Sequence, residues 1–262
     1  MAQVLVTGGS GTLGRAVVPA LTAAGHQVAV LSRTDAGPVG GAPRRRGDLR
    51  TGAGLREALQ GVDVVLHLAS DPRHVREVDV DGTARLSGTA AEAGCGHLLV
   101  VSIVGCDRVP FGYYRGKQTA EEVALRGPVP ASVLRATQFH ELVARLAQAV
   151  TLGPVVVVPR GLRAAPVDIR DVAERLVRAV AEGPAGRLRD LGGPEVVDLA
   201  DAAAAVARAR GRHPPRPVRL PAWGAFLRAF AAGANLPAPD ADRGARTFAA
   251  WLAEQQSVSA GR

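Results

Sequence analysis

Three kinds of residue are scarce in this sequence. Aromatic side chains make up 3% of the 262 residues, so Ala, Val and Leu must fill the core. The two cysteines, Cys95 and Cys106, flank one apolar run and would lie too far apart for a disulfide, so we expect two reduced thiols. The histidines show no metal-ligand spacing, and we predict no metal. The third scarce residue is lysine, which occurs once, as Lys117.

Long apolar segments are also missing. No run approaches the roughly 18 residues of a membrane-spanning helix. The first predicted strand begins by residue 3, which leaves no room for a signal peptide. The sequence therefore predicts a cytoplasmic protein without a membrane partner.

The positive charge comes almost entirely from arginine. The formal net charge is +8 and the sequence pI is about 10.9, but the arginines are scattered along the chain. The short run of Arg44, Arg45 and Arg46 is expected to be a solvated loop and not a phosphate-binding patch. We predict no nucleic-acid partner, a small-molecule substrate, and a monomer or homodimer.

Apolar β-rich runs alternate with helical patterns through the first half of the chain. Strands are predicted at 4–8, 28–32, just before Asp48, and at 62–70, 97–105 and 131–139. Such alternation is typical of a parallel sheet with crossover helices. The predicted fold class is α/β, a Rossmann-type doubly wound parallel sheet with a small C-terminal substrate lobe. We assign residues 1–150 to a dinucleotide-binding domain and residues 151–262 to a segment that completes the sheet and forms the lobe.

One aromatic stripe stands out in the C-terminal part. Its members recur at helical spacing: Trp223, Phe226, Leu227 and Phe230. Packing in the core is the favoured interpretation, with a substrate wall or a dimer face as alternatives.

A glycine-rich segment, VLVTGGSGTLGR, lies where the first strand turns into the first helix. Glycine permits the tight turn and lets the backbone approach a pyrophosphate, which would sit on the helix N-terminus. The segment therefore predicts a dinucleotide site. The residues assigned to it are Thr7, Gly8, Ser10, Gly11, Thr12, Leu13 and Gly14.

The end of the second strand bears on the choice of cofactor. A site for NAD(H) usually has an acidic residue there to bind the ribose 2′-hydroxyl, whereas this chain has Ser32 and Arg33. A hydroxyl and a guanidinium suit a 2′-phosphate, which favours NADP(H) over NAD(H). Asp35 lies just beyond and would suit NAD(H).

Five motifs in order resemble the short-chain dehydrogenase/reductase superfamily. They are TGGSGTLG, the Asp48-Leu49 pair, HLAS, VDVDGT and Tyr-x-x-x-Lys, while SIVGCDRVPFGYYRGKQTAEE and RATQFHE resemble its atypical NmrA-like NAD(P)H-binding branch. The resemblance covers residues 3 to about 175. It implies cofactor contacts from Asp48, Leu49, Ala69, Ser70, Lys117 and Gln138, with Lys117 on the nicotinamide ribose and Gln138 near the nicotinamide. For His140, a structural role is favoured over a place facing the substrate.

The stretch YYRGK gathers both tyrosines and the only lysine. Tyr113 and Lys117 are four residues apart and share a helix face, where an ammonium would lower the phenol pKa from roughly 10 towards neutrality. Such a tyrosine exchanges a proton with a substrate oxygen, and Ser102 would bind the same oxygen. Tyr114 is the alternative acid. We therefore predict Ser102, Tyr113 and Lys117 as the catalytic residues.

Asp79 departs from the family pattern, because catalytic members usually carry Asn there. Two functions remain. The first is an NADP(H)-dependent oxidoreductase acting on a carbonyl, hydroxyl or quinone-like small molecule, and the alternative is a dinucleotide-binding redox sensor without turnover. A sensor has no need of a phenol beside an ammonium, which favours the enzyme.

Overall fold

The structure is a computed structural model that describes residues 1–34 and 37–260. Its helices are α1 Thr12–Ala23, α2 Leu55–Ala58, α3 Asp81–Glu92, α4 Gly112–Arg126, α5 His140–Ala149, α6 Ile169–Glu182, α7 Leu199–Ala209, α8 Gly224–Ala231 and α9 Phe248–Ala260, and a π-helical turn, Arg76–Val80, runs directly into α3. Its strands are β1 Gln3–Thr7, β2 Gln27–Ser32, β3 Arg44–Arg46, β4 Val64–His67, β5 His97–Ile103, β6 Ala131–Ala136, β7 Thr151–Leu152, β8 Val155–Pro159, β9 Arg163–Ala164, β10 Gly186–Arg187, β11 Leu191–Gly192, β12 Val197–Asp198, β13 Arg216–Leu220 and β14 Asp242–Arg243.

Chain contacts divide the molecule into two compact units. Unit 1 comprises residues 1–102, 112–135 and 172–188, and unit 2 comprises residues 103–111, 136–171 and 189–262. Unit 1 thus takes most of α6 and all of β10 from beyond residue 150, so the units do not follow chain order. A substrate-binding role for the C-terminal segment stays a prediction.

Unit 1 is built on a sheet in the order β6-β5-β4-β1-β2-β3, with β10 beside β6. Strand β1 pairs in parallel with both β2 and β4, so that Val4 lies opposite Val28 and Val64. Strand order therefore reverses at β1, and in such sheets ligands bind at the carboxyl ends of the strands flanking that reversal. The predicted Rossmann-type fold is confirmed.

The core of unit 1 is aliphatic, as the shortage of aromatic residues requires. Leu5, Val65 and Leu98 come from adjacent strands and pack with Leu55 and Leu86 from the flanking helices. The predicted run of strands 1 to 6 is confirmed, and β4, β5 and β6 are shorter than the apolar segments implied. Cys95 and Cys106 are both buried thiols.

The arginine run is a correction. Arg44, Arg45 and Arg46 do not form a solvated loop but make up β3, an edge strand paired in parallel with β2. Arg45 donates to the carbonyls of Ala58 and Gln60, so one of the three guanidinium groups closes the turn after α2. The strand predicted just before Asp48 therefore consists of these three arginines, and only their interpretation as a loop was wrong.

Unit 2 has its own core, in which α5, α7, α9 and β8 pack together. Strand β8 pairs in parallel with β13 and antiparallel with β7. Among the described residues, no helix has the length and apolar composition needed to cross a membrane.

The aromatic stripe is also a correction. Helix α8 carries Phe226, Leu227 and Phe230, with Trp223 as its N-cap, but none of the residues of α8, all of which the structure describes, is buried. Trp223 is 74% exposed, and Phe226 contacts Phe111 and Phe230 at the surface of unit 2. The stripe is therefore not core, because apolar periodicity reports one helical face and not what covers that face.

Candidate active site

The glycine-rich turn after β1 is sterically closed to larger residues. Gly8 has φ +69°, and a Cβ atom there would lie 2.7 Å from the Ala69 backbone nitrogen. A Cβ on Gly14 would lie 2.4 Å from the carbonyl oxygen of Gly9. Both positions require glycine, because the turn folds tightly against its own backbone and against the segment after β4.

This turn presents the N-terminus of α1. The N-cap is Gly11, which has extended backbone geometry and no side chain to occupy the first N–H groups. Ser10, Gly11 and Thr12 are exposed, whereas Leu13 is buried and anchors the helix. Uncapped N–H groups at the positive end of a helix suit an anion, so the cradle fits the pyrophosphate of a dinucleotide.

A fully buried histidine ties this turn to the neighbouring strand. His67, the last residue of β4, has Nδ1 at 2.6 Å from Thr7 Oγ1 and Nε2 at 3.0 Å from Thr83 Oγ1. Thr83 donates its hydrogen to the Asp79 carbonyl, so it accepts from Nε2–H. Thr7 therefore donates to Nδ1, and its oxygen accepts from the Ala69 N–H at 3.2 Å. The chain of donors fixes one neutral tautomer of His67.

Protonation would break this chain, because both ring nitrogens of a charged imidazole are donors. Burial, with a smaller contribution from the Lys117 ammonium, lowers the pKa of His67 from 6.5 to about 3. The folded protein thus holds the imidazole neutral across the physiological range.

The His67 pKa predicts acid sensitivity. A histidine whose pKa is lowered on folding contributes stability that is complete above the unfolded pKa of 6.5 and is lost as the pH falls towards 3. Its contribution should fall by about 2 kcal/mol between pH 7 and pH 5. Urea unfolding at both pH values should therefore show a steeper loss for the native protein than for His67→Gln, whose side chain does not titrate. Equal losses in the two proteins would contradict the assignment.

The residues predicted to select the cofactor lie at the end of β2. Ser32 Oγ accepts a hydrogen bond from Arg44 Nη1 at 2.7 Å and donates to the Thr34 carbonyl. Arg33 is exposed, and Asp35 lies outside the described residues. Sequence reasoning missed Arg44, since only the pairing of β2 with β3 brings it to Ser32.

Asp48 and Leu49 follow β3 in a short turn. The Asp48 carboxylate accepts from the Arg50 backbone N–H at 2.8 Å, and the Leu49 carbonyl accepts from Arg85. These bonds hold the turn in place, and a contact from either residue to the cofactor stays a prediction.

The tyrosine and lysine of YYRGK both lie on α4. Lys117 is buried, and its Nζ is 3.2 Å from Asp79 Oδ1. The Tyr113 hydroxyl lies 2.9 Å from Ser70 Oγ, and Ser70 in turn donates to Asp79 Oδ1 at 2.6 Å. Four residues from three segments of unit 1 therefore form one connected polar cluster: Ser70, Asp79, Tyr113 and Lys117.

The structure corrects the prediction that the pKa of the Tyr113 phenol is lowered. Burial raises the pKa of Tyr113 above its ordinary value of 10, and the nearby carboxylates of Asp79 and Asp71 raise it further. The sequence prediction assumed that the ammonium acts on the phenol, whereas the structure pairs it with Asp79. Only the π-helical turn before α3 places that carboxylate between the two.

Three further residues considered from the sequence are Ser102, Gln138 and His140. Ser102 is buried near the end of β5 in unit 1. In unit 2, Gln138 is buried and accepts from Asn235 at 3.4 Å, and its approach to a nicotinamide stays a prediction. His140 is fully buried, donates to the Arg246 carbonyl and packs on Phe248, which supports the structural role. In the described part of the chain, no three His, Cys, Asp or Glu side chains are grouped as around a metal ion.

Known proteins share both the sequence and the fold. Residues 8–182, which include the glycine-rich turn and the polar cluster, match the NAD(P)H-binding family. The chain belongs to this family. Among the relatives of the chain, a (4-alkanoyl-5-oxo-2,5-dihydrofuran-3-yl)methyl phosphate reductase of Streptomyces griseus is 30% identical over 246 residues, which are 92% of this chain and 84% of that protein. A 2-alkyl-3-oxoalkanoate reductase of Stenotrophomonas maltophilia is 31% identical over 133 residues, 42% of this chain and 40% of that protein.

Solved structures share the fold of this NAD(P)H-binding family member over nearly its whole length. An NADPH-dependent quinone oxidoreductase of Escherichia coli complexed with NADPH has a TM-score of 0.81 at 18% identity, covering 96% of this chain and 99% of that chain. A short-chain dehydrogenase/reductase superfamily protein of Agrobacterium tumefaciens with bound NAD has a TM-score of 0.74 at 23% identity, covering 99% and 98%. The predicted Rossmann-type fold is confirmed by these structures, and the predicted NAD(P)H-binding family is confirmed by the match over residues 8–182.

Proposed function

We propose that this chain is an NADP(H)-dependent oxidoreductase of the short-chain dehydrogenase/reductase type, acting on a carbonyl, hydroxyl or quinone-like small molecule. The observation that carries the proposal is the Tyr113 hydroxyl, which is connected through Ser70 to the Asp79–Lys117 ion pair. A protein that only sensed the dinucleotide would have no use for a phenol placed in that way. A redox sensor without turnover remains the alternative.

The roles follow from the chemistry of each group. A nicotinamide bound at this site supplies or accepts a hydride. The turn from Gly8 to Gly14 would hold the pyrophosphate on the N–H groups of α1. Tyr113 would exchange a proton with the substrate oxygen, and Ser102 would hydrogen-bond to the same oxygen. Lys117, the only lysine, would bind the nicotinamide ribose through its compact ammonium.

The relatives suggest which compounds to test first. Two are named as reductases, of an oxo-dihydrofuran phosphate and of a 3-oxoalkanoate, and an NADPH-dependent quinone oxidoreductase shares the fold. All three names include a compound with a carbonyl group, in an unsaturated lactone, a 3-oxo acid or a quinone. A screening panel of unsaturated lactones, 3-oxo acids and quinones follows.

The proposal is tested by NADPH oxidation on that panel. We expect saturable, enzyme-dependent oxidation with at least one compound class. NADPH binding without turnover of any panel compound, together with a cofactor-dependent change in affinity for a protein partner, would reject the enzyme hypothesis in favour of the redox sensor.

The cofactor preference gives a second prediction. NADPH should bind more tightly than NADH, and Arg33→Ala should remove most of the difference, since loss of a charge-assisted phosphate contact costs roughly tenfold to a hundredfold in affinity. Arg44→Ala should remove part of it, because Arg44 holds Ser32. Cofactor fluorescence titration measures both.

Arg56→Ala is the matched control for this prediction. It removes the same charge from an exposed ion pair with Glu92 elsewhere on unit 1, and it should leave both affinities unchanged. Equal affinity of the native protein for NADPH and NADH would rule out the 2′-phosphate site.

A further inference from the structure

The hydrogen bonds of the polar cluster around Tyr113 have a defined direction from donor to acceptor. The Tyr113 hydroxyl and Ser70 Oγ are 2.9 Å apart, and Ser70 Oγ is 2.6 Å from Asp79 Oδ1. The other oxygen of Asp79 accepts from the Asp71 backbone N–H at 3.1 Å. The Lys117 ammonium at 3.2 Å completes the surroundings of the buried carboxylate.

Counting hydrogens settles which group donates at each contact. A carboxylate paired with an ammonium has no hydrogen to give, and a serine hydroxyl has one. Ser70 therefore donates its one hydrogen to Asp79. Its oxygen is left to accept, so the hydrogen between Ser70 and Tyr113 belongs to Tyr113.

We propose that Asp79, acting through Ser70, is a positioning residue that holds Tyr113 as a protonated donor, so that the resting site is ready to give a proton to a carbonyl oxygen, whereas taking a proton from an alcohol first requires the phenol to ionise. The inference rests on the proposed function and adds the protonation state in which the site begins the reaction. A substrate carbonyl would replace Ser70 as the acceptor. The Tyr113 O–H bond would break as the substrate O–H bond forms, and the phenolate would regain a proton from water.

The charged and titratable groups around Tyr113 also favour the protonated phenol over the phenolate. Asp71, which follows β4, and Asp79 both disfavour a phenolate, and the pKa of Tyr113 is raised by burial first and by these carboxylates next. A hydrogen bond donated by Ser70 to the Tyr113 oxygen would lower the pKa of Tyr113, but Ser70 donates its one hydrogen to Asp79. Lys117 is paired with Asp79, His74 with Asp71, and His67 is neutral.

The test titrates Tyr113 directly and needs no substrate. The chain has two tyrosines, so Tyr114→Phe leaves Tyr113 as the only phenol, and its ionisation is read from tyrosinate absorbance in the cofactor-free protein. In that background, Asp79→Asn should raise the ionisation constant of Tyr113 by about tenfold or more, because it removes a charge and frees the Ser70 hydrogen. Asp71→Asn is the matched control and should have a smaller effect, since its carboxylate lies outside the cluster.

Ser70→Ala tests the direction of the Ser70–Tyr113 hydrogen bond more sharply, because the two directions predict opposite changes in the ionisation constant of Tyr113. If Ser70 accepts from Tyr113, removing it destabilises the phenol and raises the ionisation constant, whereas loss of a donor would reduce the constant. A reduced constant in Ser70→Ala, or an unchanged one in Asp79→Asn, overturns the proposal. Circular dichroism checks that each variant is folded, and Ser70→Ala, at an exposed position, carries the test alone if Asp79→Asn does not fold.

These outcomes separate the inference from the proposed function. The predicted shifts without carbonyl reduction on the panel would reject the oxidoreductase and leave the hydrogen arrangement standing. Carbonyl reduction with unshifted constants would reject the arrangement alone.

Discussion

Tyr113→Phe should reduce turnover by about 10² to 10⁴ while leaving NADPH affinity nearly unchanged. The ring keeps its edge contact with Tyr114, and only the hydroxyl that bonds to Ser70 is lost. General-acid catalysis depends on that hydroxyl, whereas the pyrophosphate cradle of α1 does not. Cofactor titration and steady-state rates on an active panel compound measure the two effects separately.

Tyr114→Phe is the control for this result. Tyr114 is buried on the same helix, so its loss tests whether any change at a neighbouring phenol slows turnover. If Tyr114→Phe loses activity and Tyr113→Phe keeps it, the acid is one residue further along. If both keep full activity, proton transfer by tyrosine is excluded.

Glu121→Ala should lower the free energy of unfolding by about 3 to 5 kcal/mol, because it removes the buried carboxylate that pairs with the Arg135 guanidinium. Glu121 lies four residues beyond Lys117 on α4, and its side chain is 1% exposed. Its two oxygens accept from Arg135 Nε and Nη2 at 2.8 and 2.9 Å, and one of them also accepts from Arg187 at 2.5 Å. The carboxylate thus fixes the helix that carries Tyr113 to β6 and β10.

Glu122→Ala is the matched control, since Glu122 is the next residue and pairs with Arg126 on the exposed face of α4. Exposed pairs contribute about 0 to 1 kcal/mol, so urea unfolding should place this variant close to the native protein. Equal stability losses for the two variants would show that the Glu121 cluster does not secure α4.

The glycine-rich turn could be predicted because its reason is local. A strand, a turn closed to Cβ atoms and an uncapped helix follow one another within residues 3–23, and Gly8 and Gly14 have the conformation and crowding that the pattern implied. The parallel pairing of the strands in unit 1 was equally accessible, because it follows from alternating strands and helices.

The electrostatics of Tyr113 could not be predicted in the same way. Helical spacing brings Lys117 to the correct face of α4, but it says nothing of Asp79, which reaches the ammonium from a π-helical turn 38 residues earlier. Arg44 illustrates the same limit, because its contact with Ser32 depends on strand pairing. Long-range partners, and not residue type, decide which contacts the side chains make at both places.

Transfer of deuterium tests the central claim most directly. Native protein incubated with NADPH labelled at the nicotinamide C4 position and with the panel should give at least one reduced product that carries the label, detected by mass spectrometry. Tyr113→Phe should give the same product at least about 100 times more slowly. Tight binding of labelled NADPH with no deuterium in any product, or equal labelling rates in the two proteins, would contradict the assignment of Tyr113 as the proton donor of a reductase.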